Sequence, residues 1–160
     1  MGKFRVGMGY DVHQLQPNLP FILGGILLDS KKGIVAHSDG DILIHAIADA
    51  LLGAAGLGDI GHFFPDTDLK NKDIDSSIIL SKALKEITNL SFQIENIDVT
   101  VVLEKPKLQS YINPIKQSLS KMLSIDLNQV NIKATTSERM GFVGLEQGVA
   151  CYSVVLISKN

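Results

Sequence analysis

A chain of 160 residues with 15 Lys plus Arg against 17 Asp plus Glu, net charge −2, has the size of one domain and can bury a core without staples. Hydrophobic residues at 45% and charged residues at 20% exclude a disordered tail and a coiled coil, and the charge balance offers no field for nucleic acid or a membrane surface. With the single cysteine Cys151, no apolar signal core and no spanning stretch, the chain reads as one cytoplasmic domain over residues 1–160.

In chain order, Phe4, Val6, Met8, Tyr10 and Val12 alternate with Arg5, Gly7, Gly9, Asp11 and His13. That period predicts a strand with one apolar face and puts Asp11 and His13 side by side on the other. PFILGGILLD predicts a hairpin turning at Gly24-Gly25. Ile42 to Gly53 predicts a helix packing through Ile44, Ile47, Ala48 and Leu51, with Asp39 or Asp41 near its N-terminus. Ser76 to Leu90 predicts a second helix, and Ile112 to Leu123 a third, with Pro114 confined to its first turn. Strands are expected at Ile97–Leu103, Val130–Thr136 and Val149–Ser158. The last is apolar on both faces, which suits a central position with Cys151 as a small core residue. Strand, helix, strand in the middle implies a right-handed crossover. The expected class is α+β: a mixed four-stranded sheet with helices on one face, plus an N-terminal hairpin.

The chemistry clusters early. Eleven of 14 glycines lie at or before Gly61, and all four histidines (His13, His37, His45, His62) lie in the first 62 residues. Asp11-Val12-His13 alone is more often a solvated strand end than a site. His45 changes that, since it sits on a predicted helix in one column with Asp41 and Asp49, either of which suits the second ring proton of a metal-bound histidine. One Asp and two His suit zinc with an open fourth position, the catalytic pattern. Ala36-His37-Ser38-Asp39-Gly40-Asp41 reads first as a helix cap and second as an anion site at a helix N-terminus. Gly58-Asp59-Ile60-Gly61 and Phe64-Pro65-Asp66-Thr67-Asp68 read as loops whose carboxylates suit hydroxyls of a small polyol. Lys133-Ala134-Thr135-Thr136-Ser137-Glu138 followed by Gly141-Phe142 suits phosphate and a hard cation at a strand end. His62 has no evident partner.

From DVH through AHSDGD, LLGAAGLGDIG, FPDTD and KATTSE-x-x-GF, essentially the whole chain resembles the 2-C-methyl-D-erythritol 2,4-cyclodiphosphate synthases. The resemblance implies a homotrimer with active sites between subunits. It implies an intramolecular reaction of 4-diphosphocytidyl-2-C-methyl-D-erythritol 2-phosphate, in which the 2-phosphate attacks the β-phosphorus and expels CMP. Asp11, His13 and His45 would bind zinc. His37 and Thr136 match positions assigned to transition-state stabilisation, and Val12 and Ser38 adjoin substrate. Asp59, Ile60 and Gly61 with Phe64, Pro65, Asp66, Thr67 and Asp68 match the methylerythritol loops. Leu103, Glu104, Lys105, Pro106, Lys107, Leu108 and Gln109 match the cytidine pocket. Thr135, Thr136, Ser137 and Glu138, with Phe142 nearby, match the diphosphate site, and Glu138 is the expected ligand of magnesium or manganese. One residue departs from the pattern: Leu145 follows GFVG where many members carry an Arg associated with isoprenoid diphosphates on the trimer axis. Weak or absent binding of such diphosphates is therefore expected. The rival readings are a metal-dependent phosphohydrolase and a non-catalytic nucleotide-phosphate module.

Overall fold

The computed structural model describes residues 3–65, 67–71 and 73–159. In chain order the elements are β1 (Phe4–Pro17), β2 (Ile22–Leu23), β3 (Ile26–Leu27), β4 (Lys32–Ile34), α1 (Ile42–Ala55), α2 (Ile60–Phe63), α3 (Ser76–Asn89), β5 (Phe92–Val102), α4 (Ile112–Leu123), β6 (Val130–Thr135), α5 (Gly141–Gly144) and β7 (Gly148–Lys159). β2 and β3 form the expected hairpin, Leu23 opposite Ile26. Its turn residues Gly24 and Gly25 hold φ of 59° and 76°, the left-handed pair a two-residue turn demands.

The main sheet is α+β in character and mixed, but it has five strands rather than four, in the order β4-β1-β7-β5-β6. The strand missing from the sequence reading is β4, which pairs antiparallel with the end of β1, Ile34 opposite Leu15. Three residues including Gly33 are too few to show a period of two. β7 is central as expected, antiparallel to both β1 and β5. β5 and β6 run parallel with α4 between them in the chain, as the crossover requires. α1 packs on β1 and β7, α3 on α1 and β5, and α4 on β6.

The polarity of β1 is inverted. Its small residues Gly7 and Gly9 face α1, while Val6 and Met8 stand 68% and 65% exposed on the far side. A Cβ at Gly9 would lie 1.9 Å from the Ala46 carbonyl oxygen, and one at Gly7 would lie 1.9 Å from that of Ala50. Glycine is therefore what lets α1 lie directly on the strand. Beneath that close contact the core is continuous, from Ile42, Leu43, Ile47 and Leu51 to Val99, Val101, Ile115 and Val155. Cys151 is fully buried in it, and burial pushes its thiol pKa up, so it is inert packing. Among the described residues no helix is long and apolar enough to cross a membrane.

Candidate active site

Asp11 and His13 project from the glycine face of β1, and His45 projects from α1 above them. The register set by Gly7 and Gly9 brings the three together. His45 Nδ1 lies 3.1 Å from Asp11 Oδ2, and His13 Nε2 lies 3.0 Å from the same oxygen. One donor atom from each residue falls within 4.8 Å of the others. The Asp11 carboxylate is held by the backbone N–H of Val12, which donates to Oδ1 at 2.9 Å. Burial alone would raise the Asp11 pKa, but the close approach and charge of His13 and His45 outweigh it and lower it to about 2. Burial likewise opposes a charge on His13, yet the neighbouring Asp11 carboxylate and the Val35 carbonyl raise its pKa.

The residues fit a metal on two counts. His13 Nε2 is a buried polar atom without a hydrogen-bond partner, since its approach to Asp11 is out of line. One carboxylate that stays ionised and two imidazoles are also the donor set of a three-ligand zinc centre. The sequence reading misassigned the support of His45. Asp41 turns away to accept from Gly24, Gly25 and Ile44 N–H at 2.9, 2.6 and 3.1 Å. Asp49 accepts from Ile60 N–H at 2.8 Å and so anchors α2 instead. The second ring nitrogen of His45 meets Ser76, a residue that sequence spacing did not single out.

A cavity of about 400 Å³ opens over the triad, with Ser38, His37, Ile60, Gly61 and Phe64 on its walls. Three separated segments singled out from sequence thus converge. Ser38 Oγ accepts from Gly40 N–H at 3.1 Å, and the His37 carbonyl accepts from Asp73 N–H at 2.7 Å, fixing the cap that carries them. Asp59 caps α2 through His62 N–H at 3.1 Å. Pro65, Thr67 and Asp68 are exposed and do not line the cavity, and Asp66 lies outside the described residues.

The second group of expected site residues gathers elsewhere. Glu104, Lys105, Pro106 and Lys107 line a different cavity of about 600 Å³, while Leu103 and Leu108 are buried and Gln109 is exposed. Glu104 has a use that the sequence did not disclose. Its carboxylate accepts from Ser137 N–H at 3.1 Å and Arg139 N–H at 3.3 Å, clamping the turn that presents Thr135, Thr136 and Ser137. In that turn Glu138 and Arg139 hold φ of 53° and 61°, a costly conformation for side-chain-bearing residues. Thr136 Oγ1 donates to Glu138 Oε1 at 3.2 Å, leaving the exposed Glu138 carboxylate facing solvent. Phe142 packs on Gly148, and Leu145 is 65% exposed after α5. Among the described residues, none from 103–109 or 135–138 lines the cavity over the triad.

A mixed sheet carrying an Asp-His-His triad, with a cavity above it that also takes in the capped start of α1, gives the donor set of a candidate divalent-metal site. The YgbB family model matches residues 4–158, and the chain belongs to that family. A relative from Thermosynechococcus vestitus, named 2-C-methyl-D-erythritol 2,4-cyclodiphosphate synthase, is 49% identical over 160 residues, covering 100% of this chain and 99% of its own. The chain is accordingly an enzyme of the phosphorus–oxygen lyase class. Among solved structures, the bifunctional IspDF of Campylobacter jejuni superposes with a TM-score of 0.94 at 39% identity. That likeness covers 98% of this chain, which spans only 42% of the longer bifunctional one. The CDP complex of Plasmodium falciparum IspF superposes with a TM-score of 0.88 at 32% identity, over 100% and 99% of the two chains.

Proposed function

We propose that the chain cyclises 4-diphosphocytidyl-2-C-methyl-D-erythritol 2-phosphate to 2-C-methyl-D-erythritol 2,4-cyclodiphosphate, releasing CMP. The observation that carries this reading is the Asp11, His13 and His45 triad opening into a cavity walled by His37, Ser38 and the α2 loop. The substrate contains its own nucleophile and leaving group, so the residues need only to position and to neutralise charge. Zinc at the triad, and magnesium or manganese at the Glu138 carboxylate and the diphosphate, would supply polarisation of the phosphoryl oxygens. Asp11 stays ionised at neutral pH, with its pKa lowered to about 2, so the triad offers an anion without a proton to displace. His37 and Ser38 stand beside the reacting phosphates, and Thr136 presents its hydroxyl from the opposite side. Asp59, Ile60 and Gly61, with Phe64 to Asp68, hold the methylerythritol hydroxyls. Residues Leu103 to Gln109 hold the cytidine.

Homotrimer assembly belongs to the same proposal. It is supported by the apolar outer face of β1 and β7, and by the separation of the two half-sites within one chain. The work is placed in the cytoplasm, consistent with a lone buried thiol. The test is to incubate protein, magnesium and the diphosphocytidyl substrate and to resolve the products. CMP with the cyclic diphosphate is expected. A ring-opened monophosphate would make the chain a hydrolase, and no turnover would reduce it to a binding module.

A further inference from the structure

His45 has two ring nitrogens, and only Nδ1 faces the triad. Nε2 points into the protein, 2.9 Å from Ser76 Oγ and 3.5 Å from Ser38 Oγ. Ser76 opens α3 and is 0% exposed. Its hydroxyl also contacts Asp39 Oδ1, while Asp39 Oδ2 accepts from Ser76 N–H at 2.9 Å. Asp39 Oδ1 takes a further bond from Asp41 N–H at 3.1 Å, so the carboxylate is fixed by three donors from two elements.

The directions of these bonds follow from counting protons. A carboxylate only accepts, so the single Ser76 hydroxyl proton goes to Asp39. The Ser76 oxygen is then left to accept, and its remaining neighbour is the Nε2–H of His45. With its proton on Nε2, the ring would turn its Nδ1 lone pair to a metal held between it, Asp11 and His13. The order Asp39, Ser76, His45 is an acid–hydroxyl–imidazole chain that ends at the triad.

We propose that Ser76 and Asp39 are positioning residues of the metal site: they lock the His45 ring and its proton so that Nδ1 is the ligating nitrogen. The inference rests on the metal reading above and extends it to two residues that touch neither substrate nor metal. Partners of this kind set the orientation and basicity of a ligating histidine, and their loss weakens metal binding by about 10- to 100-fold. The hydroxyl between carboxylate and ring replaces the direct carboxylate contact that Asp41 or Asp49 would have made. It also links the start of α3 to α1, so the metal geometry depends on how the two helices pack.

The test measures zinc dissociation constants by chelator competition on the full chain and on His45→Ala, Ser76→Ala, Asp39→Asn and Ser77→Ala. In parallel, the solvent exchange of the His45 Nε2–H is followed by NMR in the zinc form. Ser76→Ala and Asp39→Asn should each bind zinc roughly 10- to 100-fold more weakly and show faster exchange of that proton. Ser77→Ala perturbs the same helix start, through its bond to Asp75, and should bind as the unaltered chain does. Retention of zinc by His45→Ala would remove the metal reading and this inference with it. Loss in His45→Ala, with unchanged affinity and exchange in Ser76→Ala and Asp39→Asn, would overturn the positioning role alone. Equal weakening in Ser77→Ala would assign the effect to the helix terminus and overturn it as well.

Discussion

Asp41 shows how far a single carboxylate can tie distant segments together. It is fully buried, caps α1 through Ile44 N–H, and receives both turn N–H groups of the β2–β3 hairpin. Burial pushes its pKa up, and the Gly25, Gly24 and Ile44 N–H groups pull it back down. Removing the side chain strands the buried Gly24 and Ile44 N–H groups and frees that of the exposed Gly25 at the same time. Asp41→Ala should therefore cost about 3 kcal/mol or more, combining a lost cap with unsatisfied N–H groups. Asp49→Ala, which releases only Ile60 N–H, should cost less than half of that. Urea denaturation separates the two, since each shifts the midpoint at an unchanged slope. A midpoint for Asp41→Ala equal to that of Asp49→Ala would refute the staple. Helical spacing put Asp41 and Asp49 in register with His45, but spacing does not report which way a capping side chain turns. At an N-cap the carboxylate is claimed by the first free N–H groups of its own helix.

At the scale of elements, the contact between α1 and β1 decides whether a site exists. The period of two in β1 correctly grouped Asp11 with His13, because alternation is a property of any strand. It could not say which face meets a helix, and the answer was the glycine face rather than the apolar one. Close approach of backbones favours residues without side chains, which is the reverse of ordinary burial patterning. Gly9→Ala should lift α1 by pressing a methyl into the Ala46 carbonyl, costing about 1–3 kcal/mol and drawing His45 away from Asp11. Gly53, in the same helix, has nothing within 4 Å of an added Cβ, so Gly53→Ala should stabilise by up to about 1 kcal/mol. Thermal melts with zinc titration check the pair, and a Gly9→Ala chain that binds zinc normally would refute the steric account. Ser76 was beyond sequence reading for a related reason. It follows His45 by 31 positions, and only the packing of α3 on α1 joins them. The capped helices, the hairpin turn and the central β7 were readable because each is encoded locally.

For the whole molecule, the two groups of residues that the proposed function joins lie apart within one chain. The triad cavity draws on the first half of the chain, while the turn of Thr135 to Glu138 and the segment Glu104 to Lys107 belong to other surfaces. Meanwhile the outer face of the sheet leaves Val6, Met8, Tyr10, Tyr152 and Val154 exposed at 68%, 65%, 44%, 43% and 44%. An apolar face that large on β1 and β7 needs a cover. The proposed closed three-fold ring would supply one and would set the triad of each subunit against the proposed nucleotide half of the next. An inactive Asp11→Ala chain and an inactive Glu138→Ala chain should then complement each other. With random mixing at equal amounts, a site needs an intact metal half beside an intact nucleotide half, so about a quarter of sites should recover. The two variants are unfolded, mixed and refolded, and CMP release is compared with each refolded alone. Recovery near that fraction places each site between two subunits. No recovery in a sample shown by mass spectrometry to contain mixed trimers would mean that every site is built within one chain. The Thr136 and Glu138 turn would then have to reach its own triad by a rearrangement of β6 and α5.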